Sequence, residues 1–157
     1  MAFPPDLSGR AYRIVNSRYP PFDGGGAYQN GSRWVSPGKW VVHCAQTYSL
    51  SVLENLVHWQ SGVLPSTMVF VIVQISPEVN QEVIDPGALP RNRSGGDYTK
   101  YREIGDDWYE RGESAVCWVP SVISPFEFNV LINQHHADFR SLVVSDTNPA
   151  EIDTRIV

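Results

Sequence analysis

Cysteine is scarce in this chain: two residues in 157, Cys44 and Cys117. Each lies in an apolar, strand-like segment, so one disulfide is open but no disulfide framework is implied. Basic side chains are outnumbered, with 12 Lys plus Arg against 17 Asp plus Glu and a net charge of -5. A protein that grips a phosphate backbone needs a basic face, so direct nucleic-acid binding is not expected. A small anion site built from a few arginines stays open. Long apolar runs are missing. The longest, Met68 to Val73, is far short of the roughly 20 residues of a membrane-spanning helix. The opening residues, Met1 to Asp6, have no basic head followed by an apolar stretch. No secretory signal is read there, and a cytoplasmic location is expected. The four histidines (His43, His58, His135, His136) lack zinc spacing, and no metal is expected. Gly24-Gly25-Gly26 is neither a P-loop nor a dinucleotide fingerprint, and no Gly-x-Ser-x-Gly elbow anchors a hydrolase triad.

What is present suits a globular core. Hydrophobic residues make up 42% and charged residues 18%, and the length predicts one domain over residues 1–157. Twelve glycines and twelve prolines punctuate the chain. Strands are predicted over Ala11–Val15, Arg33–Val35, Lys39–Ala45, Thr67–Ile75, Ala115–Val119, Asn129–Ile132, Ser141–Ser145 and Glu151–Ile156. Arg33–Val35 and Lys39–Ala45 read as a hairpin about a Pro37-Gly38 turn, and Asn16–Gly31 as a loop. A helix is predicted from Leu50 to Trp59, with Leu50, Leu53, Leu56 and Val57 as its buried stripe. Pro77–Gly96 reads as a polar connection. A second helix, started by Asp97, places Tyr101, Ile104 and Trp108 on one side. Strands dominate, the two helices are far apart in sequence, and the order argues for α+β.

Four polar residues stand out. Arg13 interrupts the apolar run Tyr12 to Val15. Position alone favours the wet face of an edge strand; the sharper reading is an arginine whose planar fork holds a phosphate or carboxylate. Arg33 precedes Trp34 and reads as a cation on an aromatic face or as a second phosphate clamp. Glu54 fits a Ser51-x-x-Glu54 capping box. A start at Ser49, or alternatively Thr47, suits the stripe better and puts Glu54 inside the helix, where a carboxylate is costly unless used or paired. Ser121 follows a strand and Pro120, a position usual for a turn residue and permissive for a site.

Taken in order, these blocks resemble the RES domain family, named for an arginine, a glutamate and a serine. The blocks are Tyr12-Arg13-Ile14, Gly31-Ser32-Arg33-Trp34, Pro37-Gly38 before Val41-Val42, Leu50 to Glu54, Ile104-Gly105-Asp106 with Trp108, Val119-Pro120-Ser121, Asn129 with Leu131-Ile132-Asn133 and His136, and Asp153 with Arg155. The resemblance implies an ADP-ribosyltransferase-like fold, with a strand-rich core of two packed sheets. It implies the toxin of a bacterial toxin–antitoxin pair that acts on NAD+ as substrate, cleaving the nicotinamide–ribose bond by hydrolysis or phosphorolysis. An alternative is mono-ADP-ribosylation of a bacterial protein target, and a further one is a non-catalytic interaction domain. The implied partner is an Xre-like helix-turn-helix antitoxin in a hetero-oligomer, which would make any DNA contact.

By the same resemblance, Arg13, Glu54 and Ser121 are the name-giving catalytic residues. With Arg33 and His43 they bind the dinucleotide. As an anion clamp, Arg13 would lower NAD+ affinity when replaced by alanine and leave thermal stability nearly unchanged. Three positions depart from the family pattern: His43 where tyrosine is usual, Gln134 where proline is frequent, and Ser32 where glycine is common. The imidazole adds a group that ordinarily titrates near neutral pH; the other two read as backbone variations.

Overall fold

The computed structural model describes residues 9–58, 67–91, 95–153 and 155–156. Among the described residues, eight strands and three α-helices alternate irregularly: β1 (Arg10–Asn16), α1 (Gly25–Asn30), β2 (Val41–Ala45), α2 (Tyr48–His58), β3 (Met68–Gln74), β4 (Gln81–Val83), α3 (Thr99–Arg111), β5 (Val116–Pro120), β6 (Phe128–Asn133), β7 (Val143–Val144) and β8 (Asn148–Pro149). The strands form one sheet in the order β4-β5-β6-β2-β1-β3-β7, with β8 also paired to β3. Only β4 and β5 run parallel.

The α+β class holds, but one continuous sheet, divisible into two halves, stands in place of the two expected packed sheets. β1 and β3 pair in register from Arg10↔Gln74 to Asn16↔Met68, and β2 and β6 from Val41↔Asn133 to Ala45↔Asn129. Between the halves, β1 and β2 share a single register pair, Tyr12↔Ala45. Successive strand side chains alternate faces. The inner face gathers Ala11, Val42, Cys44, Val73, Val116, Trp118, Val130 and Ile132 into the largest core cluster. On the outer face, α3 covers one half with Tyr101 and Trp108 against Val41, Cys117, Val119 and Leu131. α2 covers the other half with Tyr48, Val52 and Leu56 against Ile14, Met68 and Phe70.

Several predicted elements shift. The loop after β1 contains the short helix α1. Gly24 at its start is required by close packing: a Cβ there would lie 2.6 Å from the Val41 nitrogen. Arg33–Val35 is not a strand; the Ser32 hydroxyl takes the Trp34 and Val35 amide protons at 3.1 and 3.2 Å and bends the chain. Gly38 keeps the positive φ, 96°, that a Pro-Gly turn demands. In α2 the buried side is Leu50, Ser51 and Val52, while Leu53 and Val57 are 40% and 64% exposed. The helix turns its Tyr48–Val52–Leu56 row to the sheet, so Leu50 and Leu56 of the predicted stripe pack while Leu53 and Val57 do not. Its cap is Thr47, whose hydroxyl accepts from the Leu50 amide at 3.1 Å, not Ser49 or Ser51; the predicted end, Trp59, falls outside the described residues. The polar connection carries β4. Glu151–Ile156 forms no strand among its described residues; the short pairing falls at Asn148–Pro149 instead. Cys44 and Cys117 are both free thiols on opposite faces of the sheet.

Candidate active site

Glu54 and Ser121 are 67 residues apart in sequence and meet directly: the Ser121 hydroxyl donates to Glu54 Oε1 at 3.2 Å. Ser121 is fully buried at the end of β5, and its Oγ accepts from the amides of Ile123 and Ser124 at 3.2 and 3.0 Å. With both lone pairs engaged, its proton is aimed at the carboxylate. Glu127 braces the same corner. One of its oxygens accepts from the Thr47 hydroxyl at 2.9 Å and the other from the Ser124 hydroxyl at 2.8 Å. The start of α2 and the loop after β5 are thus tied together, and Glu54 is held half-buried between them.

Arg13 is not on an edge, because β1 lies between β2 and β3. Its side chain enters where β1 and β2 part. NH1 donates to the His43 carbonyl at 2.9 Å, Nε to Pro21 O at 3.1 Å and NH2 to Asp23 O at 3.4 Å. The guanidinium thus supplies β2 with a donor where the strand ladder has ended, and it pins the loop that follows β1. Burial lowers its pKa from the ordinary value, opposed by Cys44 and Asp23.

His43 lies next to it on β2. Its Nε2 is 2.9 Å from Ser32 Oγ and its Nδ1 is 3.2 Å from Val41 O. Burial first, and then the Arg13 charge, lower its pKa to about 4, so the imidazole does not titrate near neutral pH as its type suggests. Arg33 stacks on two tyrosines, 4.5 Å from the Tyr98 ring centre and 5.0 Å from that of Tyr101, as the cation-on-aromatic reading expects.

The structure joins the predicted residues in two sets. Arg13, His43, Ser32 and the adjoining Arg33 form one, and Glu54 with Ser121 the other. A cavity of about 420 Å³ is lined by Tyr12, Gln46, Thr47, Tyr48 and Trp118, and none of Arg13, Arg33, His43, Glu54 and Ser121 lines it. Burial pushes the Cys44 thiol up to about 12 and raises that of Cys117 as well, which leaves neither a ready nucleophile. Among the described residues, no group of three or more His, Cys, Asp or Glu is placed to hold a metal ion, and no helix is long and apolar enough to cross a membrane.

Sequence reasoning missed the supporting shell. Gln134, read as a backbone variation, takes the Gly24 amide proton at 2.7 Å and donates to Asp23 at 3.3 Å. Ser32, read the same way, bonds His43. Arg102 donates to Ser32 O at 2.8 Å, and Asp106 accepts from the amide and hydroxyl of Ser36 at 2.8 and 2.6 Å. Gly105 lets α3 press on this turn: a Cβ there would sit 1.8 Å from Trp34 O. The sequence signal was the Gly105-Asp106 pair on an otherwise amphipathic helix, which marks a close approach.

A strand-rich fold with a buried arginine at a split in its sheet and a serine-held acid on α2 defines a class, and the comparison with family models names it. Residues 10–153 match the RES domain, and the chain belongs to that family. It is 33% identical over 137 residues to a "Prs ADP-ribosylating toxin" of Sphingobium sp. (strain YBL2), covering 85% of each chain. It is 34% identical over 135 residues to "Toxin Res" of Photorhabdus laumondii, covering 84% of this chain and 86% of that one. With "Toxin Res" of Yersinia enterocolitica it shares 34% identity over 137 residues, or 85% and 90% of the two chains. The fold is also that of a chain in the crystal structure of the M. tuberculosis MbcT–MbcA toxin–antitoxin complex, with a TM-score of 0.76 over 91% of this chain and 84% of that one, at 13% identity.

Proposed function

We propose that this protein is the toxin of a toxin–antitoxin pair and that it cleaves the bond between nicotinamide and ribose in NAD+. The single observation that carries the reading is the Ser121–Glu54 hydrogen bond, found in a member of this family. Nicotinamide leaves NAD+ as a neutral ring and takes the electron pair of the C1′–N bond, so no acid has to protonate it. The barrier lies in the positive charge that grows on C1′, as in glycoside cleavage. Glu54 stabilises that charge, and Ser121 holds the carboxylate in place. Arg33 grips the pyrophosphate, which fixes the ribose relative to Glu54. Arg13 contributes by closing the 17–31 loop onto β2. An acceptor oxygen from water or phosphate then bonds C1′ and releases its proton to solvent. No metal enters any step.

Transfer of ADP-ribose to a protein side chain is the second reading, favoured by the name of the Sphingobium relative. The partner is an Xre-like helix-turn-helix antitoxin, in keeping with the acidic balance of this chain, which does not suit direct DNA binding. Incubation with labelled NAD+, with and without phosphate and with cell lysate, followed by mass spectrometry of the products and a gel of the lysate proteins, tests the function. Free ADP-ribose, alone or as a phosphate adduct, supports cleavage; label on one protein band supports transfer; intact NAD+ in every arm rejects both.

A further inference from the structure

His43 lies in the middle of β2 and bonds at both ring nitrogens. A carbonyl oxygen can only accept, so the partner of Nδ1, Val41 O at 3.2 Å, assigns the proton to Nδ1. Nε2 is then an acceptor, and the Ser32 hydroxyl at 2.9 Å donates to it. Ser32 is held at every other polar atom as well. Its Oγ accepts from the amides of Trp34 and Val35, its amide donates to Val35 O at 2.8 Å, and its carbonyl accepts from Arg102. The residue is a rivet between β2 and α3, with the left-handed Gly31 (φ 68°) on one side and Arg33 on the other. Burial and the nearby Arg13 charge keep the imidazole neutral, which preserves the acceptor; a proton on Nε2 would turn it into a second donor.

We propose that His43 is a positioning residue that acts through Ser32: its Nε2 accepts the hydrogen bond of the Ser32 hydroxyl and fixes the 31–36 turn that aims Arg33 at the pyrophosphate. The inference rests on the reading of Arg33 as the phosphate grip.

The test is steady-state nicotinamide release at varied NAD+ for the full chain and for Ser32→Ala, His43→Phe, the double variant, His43→Gln and Arg33→Ala. Loss of one neutral hydrogen bond predicts a KM raised about fivefold in each of the first two, with kcat within about twofold. The double variant should be no worse than either single, because both remove the same bond. His43→Gln restores an acceptor oxygen and should recover most of the loss. The proposal is overturned if the two KM effects multiply in the double variant, if His43→Gln is no better than His43→Phe, or if His43→Phe lowers kcat at unchanged KM. A KM left unchanged by Arg33→Ala would instead reject the phosphate reading of Arg33. Amide hydrogen exchange in the NAD+-free protein separates the two failures: faster exchange at Trp34 and Val35 in His43→Phe supports the rivet, and unchanged exchange overturns it.

Discussion

Glu54 takes its one hydrogen bond among the described residues from Ser121, whereas Arg13 directs three nitrogens at the carbonyl oxygens of His43, Pro21 and Asp23. Both are charged residues that an apolar segment does not require, yet the fold uses them differently. The acid is half-buried with unused acceptor capacity, fit to face a substrate. The arginine is a strut across the split between β1 and β2. A charge that looks out of place in a strand can thus be a replacement for missing backbone pairing, and the two uses differ in what removal damages.

The contrast is sharpest at Glu54→Gln. It should keep the melting temperature within a few degrees and lower the rate of nicotinamide release by about 10²–10³-fold, the usual loss for one preorganised electrostatic group; kinetics beside a thermal melt checks it. Arg13→Ala should do the reverse of what a free anion clamp predicts. Three carbonyls lose a charged donor, for a cost of about 3 kcal/mol, which lowers the melting temperature by roughly 10 °C in a domain of this size. An unchanged melt would return Arg13 to the role of a clamp. Ser121→Ala leaves Glu54 unaimed and should slow cleavage roughly tenfold, since hydrogen bonds to charged groups are the stronger ones.

His43 adds a pH test. Its folded-state pKa of about 4 lies below the ordinary 6.5, so the unfolded chain binds the extra proton first. The stability from the neutral imidazole is complete above about pH 6.5 and is lost as pH falls from there to about 4. Urea titrations across that window should show the decline, and His43→Gln should flatten it. The smallest effect is expected at Gln134→Ala, about 1–2 kcal/mol from two lost bonds to the Asp23-Gly24 turn.

The residues that break a local pattern were legible in the sequence: Arg13 in an apolar strand, Glu54 beside a helical stripe, Ser121 at a strand end. So were the α3 stripe and the long strands β3, β5 and β6, whose apolar content is set by burial on both faces. Residues whose role depends on a distant partner were not. Ser32 and His43 are separated by a turn that reads as a hairpin, because Trp34 and Val35 favour strands while a serine hydroxyl satisfies their amides. Gln134 meets Gly24 across 110 positions, a separation no local pattern encodes. Half of the α2 stripe was misplaced: Leu50 and Leu56 pack as read, but Leu53 and Val57 are just as apolar, and only the sheet decides which row faces inward.

The decisive measurement is a crystal structure of Glu54→Gln with NAD+ bound. It should show the nicotinamide ribose within hydrogen-bond reach of residue 54, with Ser121 against the same side chain and the pyrophosphate on the edge of Arg33. A dinucleotide seated in the Tyr12–Tyr48 cavity, or anywhere beyond reach of position 54, would contradict the assignment.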